Sequence, residues 1–276
     1  MGLAPVSRST SFPMPHPLMD RLPMQAHPMK TWPYPRVAAH RGGGTLAPEN
    51  TLAALETGAR FGHRMVEFDA KLSVDNVVFL LHDDTVDRTS NGSGAAARMR
   101  YDALAALDAG AWYDAAFVGE RMPTLERVAA RCKALGLAAN VEIKPCPTRD
   151  EDTGRLVAFE TARLWAGVQP APLLSSFSFD ALAAARDAAP TLPRGLLVEQ
   201  LPADWRAQTD ALGCVSLHAD HEQLDAQRVA QIKAAGLFVL AYTVNDLQRA
   251  RELVAWGVDT VCTDRIDLLG PDSLGA

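Results

Sequence analysis

The stretch VAAHRGGGTLAPENT, residues 37–51, joins a short apolar run to a helical pattern through a loop rich in glycine. The apolar run ends at His40 and Arg41, three glycines follow, and Pro48 to Thr51 open the helical pattern. In the plainest interpretation the two polar residues lie in a solvated turn. The alternative is a strand-end active site, whose ligand needs room against the backbone. The rest of the chain distinguishes the two.

The same order, a short apolar strand and then a helix, is repeated from residue 36 onward. The candidate strands are rich in Val, Leu and Ile, which is typical of parallel strands buried on both faces. They comprise residues 36–41, 65–70, 77–82, 138–144, 172–177, 194–199, 215–219, 238–244 and 260–263. The candidate helices comprise residues 49–61, 124–135, 152–166, 179–188, 205–212, 224–235 and 247–256. Glycines directly after several helices support these helix ends.

Repeated strand–helix units predict parallel strands, and their number fits a (β/α)8 TIM-type barrel over residues 36–276. A doubly wound open sheet is the alternative. The nine candidate strands are one more than the barrel needs, so one is accessory or wrong. The connection from Asp69 to Val77 has only seven residues, too few for a crossover helix. It is either an extended descent along the barrel or a hairpin that turns at residues 74–76.

Residues 84–123 form a long stretch after the third candidate strand, with a short helical pattern near residues 101–107. A segment of this length in a compact domain is usually functional or a small insertion. We therefore expect a small insertion after the third strand. In a barrel it would lie on the catalytic face.

The composition is that of an ordinary globular protein, with 48% hydrophobic and 22% charged residues. The net charge of −6 provides no basic field for nucleic acid, and no apolar run is long enough to span a membrane. Four cysteines without C-x-x-C spacing argue against a thiolate zinc site and favour reduced thiols in the cytoplasm. Residues 1–35 are rich in Met and Pro, lack the apolar region of a signal peptide, and are expected to form a disordered extension.

Ionisable residues occur near the ends of the first four candidate strands. They are His40, Arg41, Glu67, Asp69, His82, Glu142 and Lys144. In a barrel the carboxyl ends of the strands form the active-site face. Residues two apart on a strand point to the same side. If that side is the barrel interior, three carboxylates and one ammonium group converge there.

Burial of three carboxylates without compensation is costly, and a hard divalent cation with oxygen ligands, Mg²⁺ or Ca²⁺, is the natural remedy. Two histidines suit proton transfer near neutral pH, and Arg41 and Lys144 suit an anion such as phosphate. Taken singly, each element has a plainer interpretation, such as an ion pair, a structural histidine or a capped strand end. We keep the plainer interpretation for His63, His218, His221, Asp83 and Asp84.

In their order along the chain, the motifs resemble those of the glycerophosphodiester phosphodiesterase family, of the bacterial cytosolic type, over residues 37 to about 269. They are AHRGGGTLAPENT, VEFDAKLSVDNVVFLLHDDTVDRTSNGSG, LDAGAWYDAAFVGERMPTLERV, NVEIK, LLSSFS, LAYTVND and GVDTVCTDRIDLL. The resemblance implies a (β/α)8 barrel that hydrolyses small-molecule glycerophosphodiesters, such as glycerophosphocholine or glycerophosphoethanolamine. The implied products are sn-glycerol 3-phosphate and an alcohol. The oligomeric state stays open.

The resemblance also implies roles by position. The positions that match the metal ligands are Glu67, Asp69 and Glu142. Those that match the catalytic acid and base are His40 and His82, and those that match the phosphate-binding cations are Arg41 and Lys144. The attacking oxygen belongs either to water or to the adjacent glycerol hydroxyl, which would give a cyclic phosphate first.

Three further positions are supporting. Glu49 lies next to the positions that match the metal ligands and the phosphate-binding cations, and Trp112 lies on the alcohol side. Tyr242 stands where the family often has Trp. Asn76 stands where a turn glycine is common, and Asn tolerates the same left-handed conformation. Two alternatives remain. One is a related barrel phosphodiesterase acting on phosphoinositide or sphingomyelin-type lipids, and the other is a non-catalytic phosphoester-binding protein.

Overall fold

The computed structural model describes residue 29 and residues 31–275. In these residues eight parallel strands close into a barrel, because β1 (Val37–Ala39) pairs with both β2 (Met65–Leu72) and β9 (Thr260–Thr263). The strands between β2 and β9 are β4 (Ala138–Ile143), β5 (Leu173–Ser176), β6 (Arg194–Val198), β7 (Ser216–Asp220) and β8 (Phe238–Tyr242). Closure excludes the doubly wound sheet and confirms the predicted (β/α)8 barrel.

Helices cover the outside of the barrel between the strands. They are α1 (Leu52–Arg60), α3 (Leu125–Leu135), α4 (Asp150–Leu164), α5 (Phe179–Ala188), α6 (Trp205–Leu212), α7 (Ala226–Ala234) and α8 (Leu247–Trp256). Local sequence sets their ends. The Thr51 hydroxyl caps α1 by accepting a hydrogen bond from the Ala54 amide, and Gly136 and Gly257 follow α3 and α8 in the left-handed conformation.

The accessory strand among the nine candidates is β3 (Val78–Leu80). It runs antiparallel to β2, with Leu80 opposite Ala70, after a turn in which Asn76 has a left-handed φ of 64°. The hairpin interpretation is therefore right, and the extended descent is wrong. Because Ala70 also pairs with β4, β3 occupies the edge of β2 that pairs with β1 lower down. The chain thus returns to the barrel mouth at His82.

The small insertion predicted after the third strand is present, and β3 itself belongs to it. The segment between β2 and β4 includes the short helix α2 (Tyr101–Ala106) and has a core of its own, in which Phe79 packs with Leu104 and Met122. The Leu80 amide donates a hydrogen bond to the Pro123 carbonyl (3.0 Å), so the insertion is fastened where the chain re-enters the barrel.

The core has two apolar layers. Outward-facing strand residues such as Phe68 and Val141 pack against the helices, in a cluster that includes Leu55 and Val128. Inward-facing residues form a second, smaller cluster at the lower end of the barrel, which we call the apolar base. Its buried members are Tyr34, Ala38, Met65, Leu173, Leu240 and Cys262.

Residues just before β1 close the apolar base. The Trp32 indole donates a hydrogen bond to Thr260 Oγ1 (2.8 Å), and the Tyr34 hydroxyl donates one to the Ala171 carbonyl (2.7 Å). Residues 31–35 were predicted to belong to a disordered extension, and this part of the prediction is wrong because these aromatic side chains pack against the barrel. Residues 1–28 and 30 lie outside the described residues.

The glycines after β1 let the loop approach other backbone segments closely. A Cβ on Gly44 would lie 2.1 Å from the Asp264 carbonyl oxygen after β9, and a Cβ on Gly58 of α1 would lie 2.3 Å from the Gly42 carbonyl oxygen. Gly42 and Gly44 also have left-handed φ values of 89° and 54°. The room is therefore used by protein backbone, whereas the sequence interpretation reserved it for a ligand.

We expect Gly44→Ala to destabilise the fold more than Gly136→Ala. Both glycines have a left-handed φ, 54° and 67°, but nothing lies within 4 Å of a Cβ built on Gly136. The control should cost about 1 kcal/mol in unfolding free energy from backbone strain alone. Gly44→Ala should cost about 1–3 kcal/mol more because of the clash. Urea unfolding measures both, and equal costs would contradict the close-packing explanation.

Candidate active site

A cavity of about 170 Å³ opens at the carboxyl ends of the barrel strands. Seven of the residues given a functional role from the sequence line it, namely His40, Arg41, Glu67, His82, Glu142, Lys144 and Tyr242. Asp69 is buried beside it and contacts two of these residues. Glu49 and Trp112 lie outside the cavity lining.

Two neighbouring strands bring the three carboxylates together. Glu67 and Asp69 point to the same side of β2, and Asp69 lies directly opposite Glu142 of β4 in the register. One carboxylate oxygen from each residue lies within 4.8 Å of the others. All three side chains are buried. The carboxylates form a compact cluster of oxygen donors of the kind that Mg²⁺ and Ca²⁺ prefer.

The three carboxylates differ in their ionisation. Burial, followed by the charge of Asp69, raises the pKa of Glu67 to about 8 and that of Glu142 to about 7. Burial also opposes ionisation of Asp69, but the nearby charges of Arg41, His82 and Lys144 outweigh it and lower its pKa. Glu67 Oε1 is buried and has no hydrogen-bond partner among the described residues. An unpartnered buried carboxylate oxygen fits a cation-binding site.

Asn50 fixes the central carboxylate, and sequence reasoning missed it. Its side-chain amide donates to Asp69 Oδ2 (2.8 Å), and its Oδ1 accepts from the Asp69 backbone amide (3.0 Å). Asn50 has a left-handed φ of 59°, and its own amide donates to the Arg41 carbonyl (3.0 Å). The signal was present in the PENT motif, where only the glutamate was assigned a role.

The two cationic residues, Arg41 and Lys144, contact carboxylates of the site. The Arg41 amide donates to Glu67 Oε2 (3.0 Å), and its guanidinium donates to Glu49 Oε1 (2.8 Å). Lys144 Nζ lies 2.6 Å from Glu142 Oε1 and 3.9 Å from Asp69 Oδ1. Glu49 therefore acts on the site through Arg41. The remaining N–H groups of these two cations can bind an anion in the cavity.

The two candidate catalytic histidines, His40 and His82, are each paired through Nδ1 with an aspartate. His40 Nδ1 lies 2.6 Å from Asp264 Oδ1, and His82 Nδ1 lies 2.8 Å from Asp83 Oδ1. Arg88 in turn donates to Asp83 Oδ2 (2.7 Å). These pairings orient both rings and leave each Nε2 for a substrate. His40 Nε2 lies 3.8 Å from Glu67 Oε2.

The two imidazoles have opposite pKa shifts. Burial lowers the pKa of His40, but its hydrogen bond to Asp264 and the charge of Glu67 outweigh burial, so the net shift is upward. At His82 burial is the largest effect and the net shift is downward, although the charge of Asp69 opposes it. Environments that separate the pKa values of two groups are typical of an acid and base pair.

The structure changes several interpretations of individual polar residues. His82 does not end a parallel strand: it follows the antiparallel β3, and its neighbour Leu81 lies opposite Asp69, because the Leu81 amide donates to the Asp69 carbonyl (3.1 Å). Asp83 was interpreted as a strand-end cap, yet it holds His82. Asp264 was not singled out, although period-two alternation after Cys262 places it on the inward side just beyond the end of β9.

An aromatic pair lies along one side of the cavity. Tyr242 ends β8, and its hydroxyl donates to the Val198 carbonyl (2.8 Å). Phe177 follows β5, with its ring centroid 5.9 Å from that of Tyr242 and 5.2 Å from Lys144 Nζ. Sequence reasoning missed Phe177, although alternation in LLSSFS puts it on the inward face with Ser175. Trp112 packs against Tyr113 in the insertion, at a centroid distance of 5.8 Å.

Of the histidines kept as structural, His63 retains that interpretation, since it is buried with Nε2 3.3 Å from the Ile266 carbonyl oxygen. His218 is different, because it is buried and lines the cavity. Asn140 of β4 lines it too and was also missed.

Among the described residues, the longest helices are too short or too polar to cross a membrane.

Comparisons with known proteins agree with this geometry. A profile of the Glycerophosphoryl diester phosphodiesterase family matches residues 40–268. A putative glycerophosphodiester phosphodiesterase of Bacillus subtilis, YhdW, is 35% identical over 243 residues, which cover 86% of this chain and 97% of that protein. A glycerophosphodiester phosphodiesterase of Caldanaerobacter subterraneus is 30% identical and covers 83% of this chain and 93% of its own length.

Solved structures are similar as well. A phosphodiesterase of Oleispira antarctica, in complex with the product sn-glycerol-3-phosphate, superposes with a TM-score of 0.79 at 36% identity, covering 84% of this chain and 93% of that one. A glycerophosphodiester phosphodiesterase of Agrobacterium tumefaciens superposes with a TM-score of 0.69 at 26% identity, covering 87% and 98%. The chain therefore belongs to the glycerophosphoryl diester phosphodiesterase family, and it is an enzyme of the phosphoric diester hydrolase class.

Proposed function

We propose that the chain hydrolyses glycerophosphodiesters, such as glycerophosphocholine or glycerophosphoethanolamine, to sn-glycerol 3-phosphate and an alcohol. The observation that carries the proposal is the convergence, in or directly beside one cavity, of two aspartate-paired histidines, three buried carboxylates and two cations. The similar Oleispira phosphodiesterase, in complex with its product sn-glycerol-3-phosphate, supports sn-glycerol 3-phosphate as the product here. The predicted cytoplasmic location stays a prediction.

We further propose that Glu67, Asp69 and Glu142 hold one divalent cation, Mg²⁺ or Ca²⁺. Support comes from the 4.8 Å spread of their oxygens and from the unpartnered Glu67 Oε1. When bound, such a cation neutralises negative charge on phosphate oxygens and stabilises the charge that develops in the transition state. Arg41 and Lys144, which both line the cavity, bind phosphate oxygens as well.

In the proposed reaction, the two histidines exchange protons with the reacting oxygens. The Nε2 of one imidazole takes a proton from the attacking water as the water oxygen bonds to phosphorus. The Nε2 of the other imidazole protonates the leaving alcohol oxygen as the P–O bond breaks. Asp264 and Asp83 each accept a hydrogen bond from Nδ1–H, which stabilises the imidazolium form of its partner.

Hydrolysis of glycerophosphocholine should be lost after exhaustive chelation and should return on addition of Mg²⁺ or Ca²⁺, because the carboxylates alone would repel a phosphodiester. Metal content by mass spectrometry, measured with activity, checks this. Full turnover by protein verified to be free of metal would contradict the cation assignment.

Glu67→Gln should weaken cation binding by at least about tenfold and should stabilise the metal-free fold. Because the pKa of Glu67 is raised to about 8 in the fold, ionisation destabilises the metal-free protein progressively as pH rises from its ordinary pKa towards 8. The variant should therefore gain about 1–3 kcal/mol in unfolding free energy at pH 8–9, with little gain near pH 4. Titration calorimetry and urea unfolding measure these effects. Glu56→Gln, exposed on α1, is the control, and an unchanged pH profile for Glu67→Gln would refute the burial argument.

His40→Ala and His82→Ala should each lower kcat on glycerophosphocholine by about 10²–10⁴-fold while metal binding persists. Their double mutant should be far less impaired than the product of the two effects, since both groups act in one step. A p-nitrophenyl glycerophosphodiester needs little protonation of its leaving oxygen, so it should rescue one mutant and not the other.

The mutant that is rescued identifies the general acid. His221→Ala, after β7 and outside the cavity lining, is the control and should retain activity. Losses of only a few fold in both active-site mutants would overturn the acid–base assignment.

A further inference from the structure

Besides atoms of the charged groups of the site, three buried polar atoms face the barrel interior without a hydrogen-bond partner among the described residues: Asn140 Oδ1, Ser175 Oγ and His218 Nδ1. We call Asn140, Ser175 and His218 the inner polar cluster. Their exposed fractions are 2%, 0% and 0%. Buried polar groups are almost always hydrogen-bonded, so three unpartnered atoms in one interior indicate a ligand that supplies the partners. The proposed reaction uses none of them.

Two members of the inner polar cluster, Asn140 and His218, line the active-site cavity, and Ser175 is buried outside its lining. Asn140 precedes Glu142 by two residues on β4, so the two point to the same side, and Asn140 is one step nearer the apolar base. Ser175 of β5 pairs in register with Glu142. Asn140 and His218 line the same cavity as the carboxylates and the cations. A ligand whose phosphate is bound beside the carboxylates by Arg41 and Lys144 can therefore extend down to the cluster.

His218 is held in place by its neighbours. Its Nε2 lies 2.9 Å from Ser216 Oγ, which orients the ring and leaves Nδ1 as the free polar atom. A Cβ on Gly195 of β6 would lie 2.2 Å from His218 Nε2. The imidazole therefore occupies space that exists only because β6 has a glycine there. A side chain ordered by packing and by a hydrogen bond to a neighbouring residue is typical of a binding site.

The two ends of the cavity differ in charge. Burial lowers the pKa of His218 to about 3, so this imidazole is neutral at physiological pH. Asn140 and Ser175 are neutral as well, whereas Arg41 and Lys144 carry positive charge beside the carboxylates. The upper part of the cavity thus suits a phosphate, and the lower part suits a neutral group with several hydroxyls.

Resting on the proposed function, we propose that the inner polar cluster binds the two free hydroxyls of the glycerol moiety. Each hydroxyl both donates and accepts, which matches an amide oxygen acceptor, a serine hydroxyl and an imidazole nitrogen. The apolar side chains of Leu197 and Leu240 line the same cavity beside them. Glycerol is then recognised inside the barrel, and the leaving alcohol faces the open side at Phe177, which is 45% exposed.

The test compares two monophosphates on the Mg²⁺-loaded protein, sn-glycerol 3-phosphate and n-propyl phosphate. Both have a three-carbon chain and a phosphate, and only the first has the two hydroxyls. Titration calorimetry should show that the wild type binds sn-glycerol 3-phosphate at least about tenfold more tightly, because the buried cluster stays unpartnered with the other ligand. Equal affinities would overturn the proposal.

Asn140→Leu and His218→Leu should each reduce the affinity for sn-glycerol 3-phosphate about tenfold and should change that for n-propyl phosphate less than about threefold. Ser175→Ala should act in the same direction with a smaller effect, and it decides the matter if a larger substitution does not fold. Thr161→Val is the matched control, since Thr161 Oγ1 is also buried and unpartnered but lies in α4, outside the cavity.

Folded variants that keep the wild-type preference would refute the inner polar cluster as the glycerol site. The test is separable from the proposed function because it measures binding and not turnover. A wild type that prefers sn-glycerol 3-phosphate but does not hydrolyse glycerophosphocholine would support the cluster and contradict the reaction. A wild type that hydrolyses glycerophosphocholine but does not prefer sn-glycerol 3-phosphate would support the reaction and contradict the cluster.

Discussion

The burial of three carboxylates side by side inside the barrel is the constraint around which the upper half of the molecule is arranged. Their oxygens lie within 4.8 Å of one another, and in a medium of low polarity such a cluster is unstable unless positive charge approaches it. The compensation is uneven. Asp69, at the centre, has Arg41 and Lys144 within 4 Å and keeps a low pKa. Glu67 and Glu142, at the sides, have raised pKa values, so they favour either a proton or a bound cation.

The need for positive charge beside the carboxylates also explains the conformation of the loop between β1 and α1. Arg41 adopts a left-handed φ of 48°, which lets both its amide and its guanidinium reach acids. The loop is held in that shape by close packing of glycines against α1 and the residues after β9. Asn50 at the end of the loop then closes on Asp69. The loop, and not the strand alone, therefore positions the first histidine and the first cation.

His82 is positioned by a different element, a hairpin of β2 and β3. β2 extends above the barrel, turns at Asn76 and returns as β3 along the edge that β1 uses lower down. This hairpin places His82 on the same side of β2 as His40. Two aspartates, Asp264 and Asp83, then fix the rings from opposite parts of the chain. The proposed acid and base therefore flank one carboxylate cluster, although they are carried by structures of different kinds.

Much of the fold and most of the candidate site could be predicted from local sequence. Strand and helix periods, helix-ending glycines and ionisable residues at strand ends are short-range features, and they identified the barrel, the acids of β2 and β4, and His40 and His82. Period-two alternation states which residues share a face. It therefore predicted correctly that Glu67 and Asp69 point together, and it could equally have indicated Phe177 and Asp264.

Only the tertiary structure decided features that depend on contacts between distant segments. Seven residues after Asp69 are compatible with either a hairpin or a descent, and the direction of β3 follows from pairing with β2. Asp264 is 224 residues from His40, and no local pattern can link them. Whether His218 is structural or lines the cavity depends on a glycine in the neighbouring strand. The physical reason is the same throughout: spacing along the chain determines the face on which a side chain lies, and barrel closure determines what it meets there.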